Sequence, residues 1–537
     1  MKYGQGKRRD MSGRSKSQSL IHRRARGKRG EEQKSISACF AASAVKIEAN
    51  RGRDVVTNGF NGLSGKRFHF IGAAGIGMSG LAALLVRHKA NVTGSDQAGG
   101  AVIDRLNNSG ADIKIGHKEH NLDPKADAVV ISAAIREDNP ELALARRLNI
   151  RIYKYAEMLG RVFNFYSGIA VAGTHGKSTS SAWLAYVLKL AGLEPTFIVG
   201  ADIPQLGGNS GIGKPFDSSG SAQGKGKWFV AEACEYDRSF LNLKSQIGCI
   251  LNIEADHLDY FKDVAEIVEA FRDFAMGVKP GGTLIANGDT QNVAKILTDS
   301  CLKDNKIDVK TFGFTKNCDF FAENIEENTG FYTFDVYHNR ELLGRTKTSI
   351  PGRHNVANAL AVIAAAVHAG VEPSKVLKLL PQFTGVDRRL MLKAQINGVT
   401  VLDDYAHHPT EIRASLKAIR ERYRPKRLWC VFQPHQYSRT RFLLYDFAES
   451  FKLADITIVP EIYFVRDSVQ SKKEVNARVL VDKIKANGSD AMFIDGFDAI
   501  CDYLIKNVVA GDAVVTMGAG DVWKVLDEYL QWLGRNR

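Results

Sequence analysis

Seven consecutive residues, Gly173-Thr174-His175-Gly176-Lys177-Ser178-Thr179, have the types and spacing to hold a nucleoside triphosphate. Glycines let backbone N–H groups turn toward phosphate oxygens. Lys177 offers a compact positive charge for the terminal phosphates. The Ser178 hydroxyl can ligate a Mg²⁺ ion that bridges two of them. The spacing departs from the common G-x-x-x-x-G-K-S/T pattern, because Val171 stands where the first glycine belongs.

Such a loop works only between a strand and a helix whose N-terminal amides complete the cradle. The apolar run 169–172 supplies the strand, and residues 181–188 read as the helix. A second apolar run, Trp228-Phe229-Val230-Ala231, ends in Glu232, a carboxylate suited to a metal contact opposite the loop. A third, beginning at Cys249, ends among Asn252, Glu254, Asp256, His257 and Asp259. Oxygen and imidazole donors there suit a second Mg²⁺ or Mn²⁺. Asn355 precedes an alanine-rich helix, where it either caps the helix or presents its amide to a base or ribose.

Upstream, Gly75, Gly77 and Gly80 satisfy G-x-G-x-x-G after the strand-like run 67–71, followed by a helix over 81–89. Asp96, at the end of the next strand, could bind a ribose hydroxyl. This motif places a diphosphate on a helix N-terminus without saying which one, so a nicotinamide-linked oxidoreductase stays open. Downstream, strand-like runs lead into polar loops, Asp403-Asp404-Tyr405-Ala406-His407-His408-Pro409-Thr410-Glu411 and Gln433-Pro434-His435-Gln436-Tyr437-Ser438-Arg439. Ligands of open α/β sheets collect at such strand ends, and His and Arg suit an anionic, amino-acid-like substrate.

The 537 residues exceed one domain, at about 150 residues each. Alternating β and α signals imply parallel sheets. The reading is an α/β chain with a disordered basic tail over 1–63 and three domains. These are a Rossmann-like domain over 64–165, a central P-loop-type ATPase domain with a mostly parallel sheet over 166–385, and a C-terminal Rossmann-like domain over 386–537. The net charge is +14, but residues 1–30 hold 11 Lys or Arg against the single acid Asp10. The basic balance therefore describes a tail and gives the folded body no reason to bind nucleic acid. Seven scattered cysteines without C-x-x-C point to reduced thiols in the cytoplasm. No apolar run reaches 18 residues, so no membrane-spanning helix is expected.

Together, in chain order, these stretches and the segment Glu232-Ala233-Cys234-Glu235-Tyr236-Asp237 resemble the Mur ligase family. Met78-Ser79-Gly80 and Asp-Tyr-Ala-His-His-Pro (404–409) resemble its alanine-adding members. The resemblance implies ATP-dependent ligation of L-alanine to the lactyl carboxylate of UDP-N-acetylmuramate, with Mg²⁺ or Mn²⁺, by a cytoplasmic monomer or dimer. It implies a part in cell-wall building, and so in cell shape and division. A relative that attaches a whole peptide to the same sugar nucleotide is the alternative. By position, Gly75, Gly77, Met78, Ser79 and Asp96 are implied at the UDP-sugar, and residues 173–179 with Asn355 and Asp404 at ATP. Ser178, Glu232 and His257 are implied at metal. Lys177 and Arg389 fall near the transferred phosphate, and His407 and Arg439 at the amino acid. Ala73, Ala74, Cys234 and Gln436 depart from common family residues at their positions.

Overall fold

The structure, a computed structural model, describes residues 62–213, 227–464, 467 and 469–535. The disordered tail expected over 1–63 lies outside these residues up to position 61. Leu63 is fully buried in the first core. Three mixed α/β units follow one another, each around its own sheet.

The first sheet has five parallel strands. From edge to edge they are Asp112–Ile115, Asn91–Asp96, Arg67–Ile71, Ala128–Ile131 and Arg151–Lys154. The order reverses at Arg67–Ile71, which puts a crevice at its carboxyl end, where the glycine turn sits. The helix after that turn starts at Ile76, not at 81, and runs to Arg87. Gly77 and Gly80 are therefore helical, and their role is close packing. A Cβ on Gly77 would fall 2.5 Å from the Tyr155 ring, and one on Gly80 2.9 Å from Ser210 Cβ of the central unit.

The central sheet has ten strands. Seven neighbours run parallel: Phe320–Asn328, Asp308–Gly313, Thr283–Asn287, Ile247–Ile250, Ser167–Ala172, Trp228–Glu232 and Thr196–Ile198. Antiparallel strands close both edges. The helix after the phosphate loop begins at Lys177 and ends at Leu190, so Lys177 and Ser178 sit in its first turn. It is buried over most of its surface, its serines included, with the apolar run 182–188 in the domain core. The alanines of helix His354–His368 let it pack against this helix in one core. The Trp183 indole N–H donates to Leu380 O at 3.0 Å, and its ring stacks on Phe383 at 5.4 Å. The phosphate loop thus rests on a rigid element.

The third sheet has six strands. Val399–Asp404 is its second strand, flanked by antiparallel Met391–Ile396 and parallel Ala513–Met517. Leu428–Phe432, Ile456–Val459 and Ala491–Phe493 complete it in parallel. Among the described residues, no helix is long and apolar enough to cross a membrane.

Candidate active site

The carboxyl ends of the strands Ser167–Ala172, Trp228–Glu232 and Ile247–Ile250 converge on Lys177. Its ammonium donates to Gly173 O at 2.6 Å and Thr174 O at 3.1 Å, and pairs with Glu235 at 2.9 Å. Burial works against this ammonium, but the charges of Glu235 and Glu232 outweigh it and raise its pKa. Beside it the Ser178 hydroxyl donates to Glu232 Oε1 at 3.1 Å, while Glu232 Oε2 accepts from the Gly200 N–H at 2.6 Å. Two hard oxygen donors on adjoining elements are a donor set that fits Mg²⁺. His257 lies apart from this pair: its Nε2 is 3.8 Å from both Glu235 Oε1 and Asp256 Oδ2.

Gly176 caps the helix in the left-handed region, φ 82°. A Cβ there would also meet Asn358 Oδ1 at 2.7 Å. Gly176→Ala is expected to cost about 1–2 kcal/mol for the backbone alone. Pushing Asn358 aside should then weaken ATP binding further. Thermal unfolding and ATP titration of the variant check both effects.

A cleft enclosing about 910 Å³ of atom-free space, part of it open solvent, lies between the central and C-terminal units. Its walls include His175, Thr179, Asn355, Arg389 and Asp404. Asn355 is not the helix cap; that position is Arg353. Its amide donates to Pro351 O at 2.7 Å and accepts from Asn358 at 2.9 Å, which fixes its orientation in the wall. Asp404 is buried, and its Oδ2 has no hydrogen-bond partner. Burial, reinforced by Glu411, pushes its pKa up to about 6 against the pull of Ser415 and Arg389.

A native pKa above the unfolded value means stability is lost as pH rises from about 4 through about 6. Asp404→Asn is therefore expected to be more stable than wild type above pH ~6, with the gap closing toward pH ~4. The same variant should bind ATP more weakly. Denaturant titrations across pH check the first outcome, and nucleotide titration the second.

The segment 403–411, from the end of the strand Val399–Asp404 into the helix Pro409–Tyr423, crosses onto the central unit. Thr410 Oγ1 donates to Glu254 at 2.6 Å, and His408 Nε2 faces Ala255 O at 3.0 Å. Glu411 is the hub: it meets His175 Nδ1 at 3.1 Å, the His407 N–H at 3.1 Å and Arg389 at 3.7 Å. Burial opposes its charge, but His407 and His175 hold its pKa well below the carboxylate range. Arg439 is engaged within the protein in this structure. Its Nε and Nη2 lie 2.9 and 2.8 Å from Asp256 Oδ1, and Nη1 is 3.2 Å from His435. Burial lowers the pKa of His407 to about 4, despite Glu411. Its Nδ1 faces Tyr405 O at 3.0 Å, so Nε2 carries the lone pair.

In the first unit, Asp96 braces the glycine turn, accepting from the Ala74 N–H at 2.8 Å. Met78 is buried in the core, and the Ser79 hydroxyl donates to Ile76 O at 3.0 Å. The side chains of Met78 and Ser79 therefore serve the domain's interior. Gly75 caps the helix beside the turn. Glu235 and Glu411 carry no role in the sequence reading, yet Glu235 pairs with Lys177 and faces His257, and Glu411 joins His175, His407 and Arg389. The available signal was an acid placed where the chain folds inward and no lysine or arginine neighbours it in sequence.

Residues 67–167, 171–366 and 388–520 match, in that order, the Mur ligase family catalytic domain, the Mur ligase middle domain and the Mur ligase glutamate ligase domain. The chain belongs to the Mur ligase family. It is 42% identical over 469 residues to the UDP-N-acetylmuramate–L-alanine ligase of Acetivibrio thermocellus, covering 87% of this chain and 96% of that one. The ligase of the same name from Caldanaerobacter subterraneus is 41% identical over 468 residues, 87% and 97% of the two chains. Among solved structures, the UDP-N-acetylmuramate–alanine ligase of Thermotoga maritima superposes with a TM-score of 0.71 at 26% identity, covering 88% of this chain and all of that one. A murein peptide ligase from Psychrobacter arcticus gives 0.67 at 27%, covering 88% and 99%. The Mur ligase fold thus accounts for all three sheets.

Proposed function

We propose that this Mur ligase joins L-alanine to the lactyl carboxylate of UDP-N-acetylmuramate and splits ATP to ADP and phosphate. This is the first peptide-forming step of peptidoglycan precursor synthesis. The observation that carries the reading is identity above 40% across nearly the whole chain with ligases of that name. A nicotinamide oxidoreductase would leave the Lys177 loop and the Ser178–Glu232 pair without a task. Reliance on ATP and a nucleotide sugar places the work in the cytoplasm. The subunit acts as a monomer or dimer.

A carboxylate is a poor electrophile, so the lactyl oxygen first attacks the γ-phosphorus, forming an acyl phosphate and releasing ADP. Lys177, turning from its loop carbonyls and Glu235 toward the nucleotide, balances charge spread over the transferring oxygens. Arg389 stands at the same wall for that charge. Ser178 and Glu232 would hold a Mg²⁺ or Mn²⁺ ion, and His257, set apart from them near Glu235, would face a second; when bound, such ions neutralise phosphate charge. Asn355 and Asp404 address the base and ribose. The alanine amine then attacks the acyl carbon, and phosphate leaves with its bonding electron pair. Neutral His407 accepts a hydrogen bond from that amine. A pKa of about 4 makes it an orienting acceptor and a weak base. Arg439 receives the amino-acid carboxylate once Asp256 yields part of the guanidinium.

Phosphate release from ATP should require both UDP-N-acetylmuramate and an amino acid, with alanine ahead of glycine and serine. Activity with a tripeptide in place of alanine would favour the peptide-adding alternative, which the likeness to the Psychrobacter enzyme makes worth testing. Joining that proceeds without ATP would defeat both readings.

A further inference from the structure

We propose that His175, Glu254 and His408 form a site for a divalent transition-metal ion such as Zn²⁺, tying the phosphate loop to the C-terminal domain. One ligand atom from each lies within 4.8 Å of the other two. Glu254 Oε2 is 3.5 Å from His175 Nε2 and 4.0 Å from His408 Nδ1. The two imidazole rings lie 4.6 Å apart, centre to centre. Zinc bonds of about 2.0–2.1 Å set tetrahedral ligand atoms about 3.3 Å apart, so the two Glu254 edges need contraction of less than an ångström.

The outer contacts favour the same assignment. His175 Nδ1 faces the Glu411 carboxylate at 3.1 Å, and His408 Nε2 faces the Ala255 carbonyl at 3.0 Å. Both partners only accept, so those two ring nitrogens carry the protons. In the neutral rings the lone pairs then sit on His175 Nε2 and His408 Nδ1, the ring nitrogens that face Glu254. A carboxylate or carbonyl behind each ligating histidine is the usual support of metal sites. His175 Nε2 is buried without a hydrogen-bond partner. His408 Nδ1 accepts a hydrogen bond from the Thr410 N–H at 3.3 Å, which a metal ion would replace, and Thr410 Oγ1 fixes Glu254 from outside.

Two imidazoles and one carboxylate suit Zn²⁺, Co²⁺ or Ni²⁺, whereas Mg²⁺ prefers oxygen. The set is separate from Ser178 and Glu232. Its competing occupant is a proton: burial disfavours charge on His175, but Glu254 and Glu411 raise its pKa to about 9. Three protein ligands leave a fourth position, and His175 and Glu254 both line the nucleotide cleft. Occupancy would pin loop to domain and slow their separation.

The test titrates metal-free, nucleotide-free, full-length protein with Co²⁺ and follows visible d–d absorption. One equivalent with a tetrahedral spectrum is expected. It should persist in Ser178→Ala, be displaced by Zn²⁺, and be lost from both His408→Gln and Glu254→Gln. Zn²⁺ should raise the unfolding temperature of wild type but not of those two variants. If one variant fails to fold, the other decides. A tetrahedral signal that survives in a folded variant, an oxygen-only octahedral spectrum, loss with Ser178→Ala, or no binding at all overturns the site.

Discussion

Lys177→Ala is expected to lower kcat by roughly 10²–10⁴-fold, the scale of removing one fixed charge from a phosphoryl-transfer transition state. No second lysine or arginine appears in the loop 173–179 to take its place. The substitution has a second consequence. Glu235 is 2% exposed and pairs with Lys177, so losing the ammonium strands a buried carboxylate. Breaking such a pair from one side typically costs about 3–5 kcal/mol. The double variant Lys177→Ala with Glu235→Gln separates the two effects. It should recover much of the melting temperature and none of the turnover. Near-wild-type kcat in either folded variant would remove Lys177 from the chemistry.

The second large effect concerns Asp256 and Arg439, each 7% exposed and drawn from different domains. Burial penalises the Asp256 charge, yet Arg439 and the neighbouring His257 hold its pKa well below the carboxylate range. Asp256→Asn leaves a buried guanidinium without its counter-charge, at a cost of about 3–5 kcal/mol to the domain contact. In solution this should appear as a larger radius of gyration by small-angle scattering. KM for the amino acid should shift as well. With domain closure weakened it rises, about tenfold for each 1.4 kcal/mol lost. Converting the pair to Asp256→Leu and Arg439→Met should restore compactness but not activity, since an apolar pair packs without binding a carboxylate. A double-mutant cycle isolates the coupling. Additive effects would show that the ion pair does not join the domains.

Local pattern carries a great deal here. Apolar strands ending in glycine or carboxylate show up as short runs, and 169–172 and 228–231 lie within observed strands. The α/β character, with mostly parallel sheets, follows from the alternation of such runs with helical segments. Helix starts are less visible. The glycine turn after 67–71 looks long because Gly77 and Gly80 read as loop residues, whereas they lie inside the helix where Tyr155 and Ser210 press close. Asn355 left capping and ligand contact both open, and only the backbone assigns the cap to Arg353.

What the sequence by itself determined is therefore the fold class and the strand–glycine loop–helix unit that carries Lys177 and Ser178, since both depend on neighbours within a few residues. Only the tertiary structure decided which distant groups meet. Glu235 joins Lys177 across 58 positions, Glu411 meets His175 across 236, and Asp256 meets Arg439 across 183. Periodicity and spacing hold no information about such pairs. They arise because strand ends of the central unit lie beside one another and beside the C-terminal unit, and buried charges must find opposite charges there or lose their ionisation.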